Sequence, residues 1–237
     1  MPMQLPSIRS IQVPWIIVHQ MPIERMQVAA ATTPVTHLRF SNPERFSLAH
    51  SHYTDISARA LDYVLRVPIA LTHFSYSSDS NSNLELPVFM RSISLLRLTL
   101  QYMHLDFSDV TLPIEAEENE VFLPSDAGSL REWLVLRTMS CSLMPLLGKQ
   151  VLHNSVRLMN LLPPGLRELE ILQDWKWEVC DAVEHVVEML AQKPYAAPRL
   201  EKVAVVTSCR KSQRTIDKLT VACETAGVSF VEQSFCW

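Results

Sequence analysis

The sequence predicts an α/β fold: an irregular solenoid with a parallel sheet on one face and helices on the other. Two positive observations carry this, and one absence sharpens it. A short apolar signature, L-x-x-L-x-L with any large apolar residue allowed, recurs along the chain. Amphipathic helical segments lie between its copies. The chain has only four glycines, none close to another, so no phosphate-cradling G-x-G-x-x-G or G-x-x-x-x-G-K-S can be assembled.

The signature starts at Ile8 (IRSIQV), Val35 (VTHLRF), Leu71 (LTHFSY), Leu95 (LLRLTL), Leu136 (LRTMSC), Leu166 (LRELEI) and Leu200 (LEKVAV). A looser strand, GVSFVEQ, follows from Gly227. The starts are 27, 36, 24, 41, 30 and 34 residues apart, too uneven for fixed-length repeats. Within a copy, alternate residues share a face, so Leu169 and Ile171 point one way and Glu168 and Glu170 the other. Near Leu136 the register is ambiguous, because LREWLV from Leu130 fits the same template.

The intervening segments are helical in period. DISARALDYVLRVP places Ile56, Ala60 and Val64 on one face and stops at Pro68. NSVRLMNLLPP is a shorter helix running into Pro163 and Pro164, where Gly165 permits a turn. WEVCDAVEHVVEMLAQKP turns Val179, Val183, Val186, Val187 and Leu190 inward, with Asp181, Glu184 and Glu188 elsewhere. SQRTIDKLTVACETAG has Ser212 as an N-cap, Ile216, Leu219 and Cys223 inward, and Gly227 as its C-terminal glycine. Each helix has an apolar face that only stacked neighbours can bury. A doubly wound domain also alternates strands and helices, but its parallel strands read as continuous apolar runs. Here His37, Arg39, His73, Ser75, Arg97 and Thr99 alternate with apolar residues, so one sheet face meets water.

The stretches LREWLVLRTMSCSLMPLLG and LMNLLPPGLRELEIL resemble the leucine-rich-repeat-like proteins of filamentous fungi, many of them F-box proteins. The likeness is strongest from Gly128 to Leu172; elsewhere only the repeat grammar matches. It implies that the fifth strand begins at Leu136, with Leu130 and Trp133 packed in the preceding turn. It also implies a fold used to bind partners and, in F-box members, a substrate-receptor role in a ubiquitin ligase. That last role is not carried over directly, because strand-like sequence begins at Ile8 and leaves no room for the helical F-box. The chain is then either a fragment, with an array incomplete at its N-terminal side, or a member without the module.

Length and composition fit one domain over residues 1–237, with 48% apolar residues to fill a core. A net charge of −4 argues against general affinity for nucleic acid or anionic membrane, and no apolar run approaches a membrane span. Five scattered cysteines suit reduced thiols in cytoplasm or nucleus rather than a disulfide framework.

Candidate chemistry is thin. His50, His52 and Asp55 lack a further metal ligand and read as a polar loop. Cys180 and His185, five apart on a helix, do not form an activated pair; they read as a core thiol and a surface imidazole. The carboxylates of residues 115–120 read as a solvated acidic loop, and Arg210, Lys211, Arg214 and Lys218 as a solvated helix face. No cofactor or metal site is expected.

The expected function is a noncatalytic scaffold that binds a protein or peptide on its exposed strand positions. The alternative is an enzyme with a site built from loops on the sheet, which would need a cleft with convergent titratable groups. The expected binding positions are His37, Arg39, His73, Arg97, Thr138, Ser140, Glu168 and Glu170, grading from basic to acidic. Trp175 and Trp177, in a loop leaving a strand, are either core packing or binding anchors.

Overall fold

The computed structural model describes residues 9–14, 34–41, 58–66, 68, 70–77, 86–106, 130–147, 157–172, 179–207 and 213–234. Eight strands form one parallel sheet in sequence order: β1 (Ser10–Pro14), β2 (His37–Ser41), β3 (His73–Ser77), β4 (Tyr102–Asp106), β5 (Thr138–Ser142), β6 (Glu168–Leu172), β7 (Lys202–Thr207) and β8 (Ser229–Ser234). Between them lie α1 (Ala58–Leu65), α2 (Leu86–Ser94), α3 (Met144–Leu147), α4 (Leu158–Leu161), α5 (Val179–Ala191), α6 (Lys193–Ala196) and α7 (Gln213–Thr225). Parallel neighbours need a crossover, and here each strand lies beside the next in the chain.

The register aligns Ser10, His37, His73, Tyr102, Thr138, Glu168, Lys202 and Ser229 in one row across the sheet. One residue further on, Leu38, Phe74, Met103, Met139, Leu169 and Val203 make a buried row on the opposite face. Two residues ahead of each strand, Val35, Leu71, Leu100, Leu136, Leu166 and Leu200 are buried as well. The signature leucines are therefore the core positions, and each fully buried one contributes about 1.5–3 kcal/mol of hydrophobic stabilisation.

The residue just before each strand ties one unit to the next. The carbonyl of Arg9 accepts the N–H groups of Thr36 and His37, that of Thr36 accepts Thr72 and His73, and that of Thr72 accepts Gln101 and Tyr102. Gln101, Arg137 and Arg167 repeat the pattern for the following three units. The approach to each strand is thereby hydrogen-bonded before the ladder begins, as buried backbone requires.

The fourth strand departs from expectation. Leu95–Thr99 does not extend. It continues α2 as tight turns, with Leu96 N–H donating to the Ile93 carbonyl, Arg97 to Ser94 and Leu100 to Leu96. Phe89, Ile93, Leu96 and Leu100 face the core at helical spacing, whereas Leu95 and Leu98 are exposed. The strand is instead Tyr102–Asp106, and Leu100, Met103 and Leu105 supply the signature. His73 to Tyr102 is then 29 residues and Tyr102 to Thr138 is 36, closer to the other spacings.

Elsewhere the expected elements hold. Leu130–Glu132 is a 3-10 turn; Leu130 and Trp133 are buried in the approach, and the strand follows Leu136. In α1 the buried side chains are Leu61 and Leu65, with Val64 packed beside them on the core; Ile56 lies outside the described residues. In α5, Val183, Val186, Met189 and Leu190 are buried, and Glu184 and Glu188 are exposed. His185 is buried too, at 1% exposure, contrary to its expected surface position; it lies between core-facing residues on the helix. Ser212 lies outside the described residues.

The C-terminus of α7 shows how a glycine ends a helix. Gly227 has a φ of +62°, and its N–H donates to the Glu224 carbonyl while the Val228 N–H reaches back to Cys223. This is the paired hydrogen bonding of a Schellman cap, with buried Val228 against buried Cys223. Gly165 acts differently: a Cβ there would lie 2.8 Å from the Leu134 carbonyl oxygen, and its φ is not positive. Close approach of two turns, rather than a left-handed conformation, is what this glycine serves.

Candidate functional site

The sheet face opposite the core carries two rows of interest. The first is His37, His73, Tyr102, Thr138, Glu168 and Lys202; the second is Arg39, Ser75, His104, Ser140 and Glu170. Six of the expected binding positions therefore share one surface with a seventh, Ser140, beneath it. The eighth, Arg97, does not belong there. It is exposed in the turn after α2, because that segment finishes the helix rather than forming a strand. Thr99 leaves the face for the same reason. Their places are taken by Tyr102 and His104, which sequence reading missed. Trp175 and Trp177 lie outside the described residues, as do His50, His52, Asp55 and the acidic run 115–120.

This face is not uniformly wet. Ser140 is 0% exposed, and its hydroxyl lies 2.9 Å from His104 Nδ1. A short side chain flanked by His104 and Glu170 is covered by them, so Ser140 supports the surface rather than contacting a partner. Ser142, Ala204 and Asp106 are likewise buried on this side. His37, Arg39 and Glu168 are exposed, and His73, Ser75, Tyr102, His104, Thr138 and Glu170 half-buried.

Aromatic and imidazole rings stack across three strands. The His37 and His73 rings lie 3.9 Å apart at 17°, and Tyr102 continues the stack 5.6 Å from His73 at 23°. Each histidine is braced by the threonine before it: Thr36 Oγ1 is 2.8 Å from His37 Nδ1, and Thr72 Oγ1 is 2.9 Å from His73 Nδ1. The repeated Thr-His pair in VTHLRF and LTHFSY was the sequence signal for this.

Electrostatics grade along the surface. Partial burial, and then the neighbouring His37, lower the pKa of His73. Burial raises that of Tyr102, Glu170 raises it further and Arg39 opposes, so the phenol feels both charges. Arg39 and Glu170 make no ion pair among the described residues. Glu168 is 3.6 Å from Lys202. Beneath the face, burial and Glu170 push the Cys141 thiol up to about 12.

On the helical side a groove of about 1090 Å³ runs between α5, α6 and α7. Val187, Leu190, Val221 and Ala222 line it, with Arg214 and Lys218 at its edge. Lys218 forms an exposed ion pair with Glu184 of α5; Arg210 and Lys211 of the same expected basic face lie outside the described residues.

Among the described residues, no group of three or more histidine, cysteine and acidic side chains could hold a metal ion, and no helix is long and apolar enough to cross a membrane. No protein-family model, curated protein or solved structure matches the chain.

Proposed function

We propose that the chain is a leucine-rich-repeat-like solenoid acting as a noncatalytic recognition scaffold, and that an extended protein or peptide segment lies across its exposed strand face. The observation carrying this is the in-register row from His37 to Lys202. With the neighbouring row it combines a ring stack, Arg39 and Glu170, neither of which makes an ion pair among the described residues, on rigid, laterally hydrogen-bonded strands. Rigid elements hold such groups at fixed spacing, and stacked rings offer contact area at low entropic cost. Opposed charges at the two ends set the partner's orientation more than its affinity. The family resemblance gives this role one specific form, the substrate-receptor half of a ubiquitin-ligase assembly in cytoplasm or nucleus.

Panning a random peptide-display library against the protein tests the reading. Selected peptides are expected to lose at least about tenfold in affinity, equivalent to ~1.4 kcal/mol, for a Tyr102→Ala, Arg39→Glu variant whose melting is unchanged. Peptides that bind this variant fully but lose affinity for Val221→Glu would move the binding site to the helical groove.

A further inference from the structure

We propose that His37, His73 and Arg39 form a proton-coupled subsite for a glutamate or aspartate side chain of the bound segment, whose basic residue, four positions away, reaches Glu170. This rests on the scaffold reading and names the chemistry of its partner.

The argument starts at the threonines. Thr36 Oγ1 lies 3.2 Å from the Arg9 carbonyl oxygen as well as 2.8 Å from His37 Nδ1. Thr72 Oγ1 lies 3.1 Å from the Thr36 carbonyl oxygen as well as 2.9 Å from His73 Nδ1. A carbonyl can only accept, so each hydroxyl gives its single proton there. For the second contact to be a hydrogen bond, each Nδ1–H must donate into the hydroxyl oxygen. The tautomer is thus fixed twice by the same local pattern, as happens when one ring nitrogen is committed to a partner.

That leaves Nε2 of both rings as the place where a further proton binds. Neither Nε2 has a hydrogen-bond partner among the described residues. Because the rings are nearly parallel and equally braced, the two Nε2 atoms point the same way. Protonated, they become two parallel N–H donors about one ring-stacking distance apart. In the free protein that state is opposed, since two imidazolium charges would stand face to face.

Among the described residues no carboxylate of β2 or β3 stands beside the stack to relieve it. From β1 the stack is faced by Ser10, with Arg9 just before it; from β2 by Arg39; from β3 by Ser75; and from β4 by Tyr102 and His104. Arg9 and Arg39 are cationic. The carboxylates described on this side are Asp106, buried at the far end of β4, and Glu168 and Glu170 on β6, three strands beyond His73. Among the described residues the subsite is therefore a cluster of donors and positive charge with no carboxylate on the two strands that carry it. A carboxylate laid over it would accept charge-assisted hydrogen bonds from both imidazolium groups and meet the Arg39 guanidinium.

Spacing identifies the anion as part of a peptide. Three strand steps from β3 to β6 span roughly 14 Å, and Glu170 lies two residues, roughly 7 Å, further along its strand than His73. Four residues of extended chain, ~13 Å, together with the reach of a long basic side chain, bridge that separation. Residues i and i+4 of an extended peptide also point to the same side, so an acid over the stack and a lysine or arginine over Glu170 fit one segment.

The test uses a fluorescent synthetic peptide carrying glutamate and lysine four residues apart in a serine/alanine background, made in both orders. One order is expected to bind, tightening about tenfold between about pH 8 and about pH 5.5, the effect of one unit of pKa coupling. A His37→Gln, His73→Gln variant that still melts cooperatively should bind weakly with no pH dependence. Arg39→Gln should weaken binding at every pH and leave its pH dependence intact. Nitrogen NMR of the imidazoles gives a second readout: Nδ1–H tautomers in the free protein, and a raised titration midpoint for His73 with peptide bound. The inference is overturned if neither order binds, if binding ignores pH, or if inorganic phosphate in excess displaces the peptide as well as an unlabelled copy does. Panned peptides that depend on Tyr102 and Arg39 but show none of this behaviour would leave the scaffold standing and remove only the subsite.

Discussion

Gly165 and Leu134 stand thirty-one residues apart in sequence, yet a Cβ added to Gly165 would lie 2.8 Å from the Leu134 carbonyl oxygen and 3.4 Å from that of Leu136. The turns that open β6 and β5 are pressed backbone to backbone. Pro163 and Pro164 end the preceding helix, and the glycine lets the chain come in close enough for Leu166 to reach the core, where it is fully buried.

Replacing Gly165 by alanine should therefore cost about 1–3 kcal/mol, the range for overpacking where the opposing atom is rigid backbone. Urea unfolding of the Gly165→Ala protein measures it. A variant as stable as the parent would mean that the two turns can separate freely.

Leu169 and Glu170 are adjacent but face opposite sides of the sheet, at 1% exposure and half-buried respectively. Leu169→Asp should destabilise by more than ~4 kcal/mol, because it puts an unpaired charge among Met139, Val203 and their neighbours. Glu170→Ala should stay within about 0.5 kcal/mol, since Glu170 makes no ion pair among the described residues. Thermal melts of both proteins check the assignment of faces, and equal losses would contradict it.

The inward face was largely legible in sequence and the outward face less so. Leucine placement announces burial directly: Val35, Leu71, Leu136, Leu166 and Leu200 all lie where the signature puts them. In the fourth unit the signal fails because leucine is everywhere in LLRLTL, and a leucine that ends a helix looks the same as one that starts a strand. Leu96 and Leu100, four apart and both buried, were the discriminating pair. Outward positions carry no comparable pressure, so the error removed Tyr102 and His104 from view and supplied Arg97 in their place. Burial of Ser140 was not legible either, since it depends on the sizes of His104 and Glu170 on neighbouring strands. Thr36-His37 and Thr72-His73 were visible as repeated dipeptides, but their stacking follows only once β2 and β3 are known to pair in register.

Two cysteines should be inert while the protein is folded. Burial and Glu170 raise Cys141 to about 12, and burial raises Cys223 to about 11. The thiolate is the reactive form, so iodoacetamide near neutral pH should leave both unmodified until denaturant is added. Peptide mapping by mass spectrometry reads each site separately. Rapid native alkylation of Cys141 would show that β5 opens well below the global unfolding transition.

His73 should make stability fall with acidification. Its pKa is lowered in the folded protein, first by partial burial and then by the stacked His37. The unfolded chain, with an imidazole near ~6.5, then binds more protons than the folded one across the interval just below that value. Stability is fully retained above this window and declines as pH drops through it, down to the lowered folded value. In His73→Gln the same decline should be smaller, and removing His37 should return part of it by relieving the second cause. Melting temperatures measured across the imidazole range in a constant-ionic-strength buffer give the comparison. An unchanged slope in both variants would mean that groups other than His73 carry the acid sensitivity.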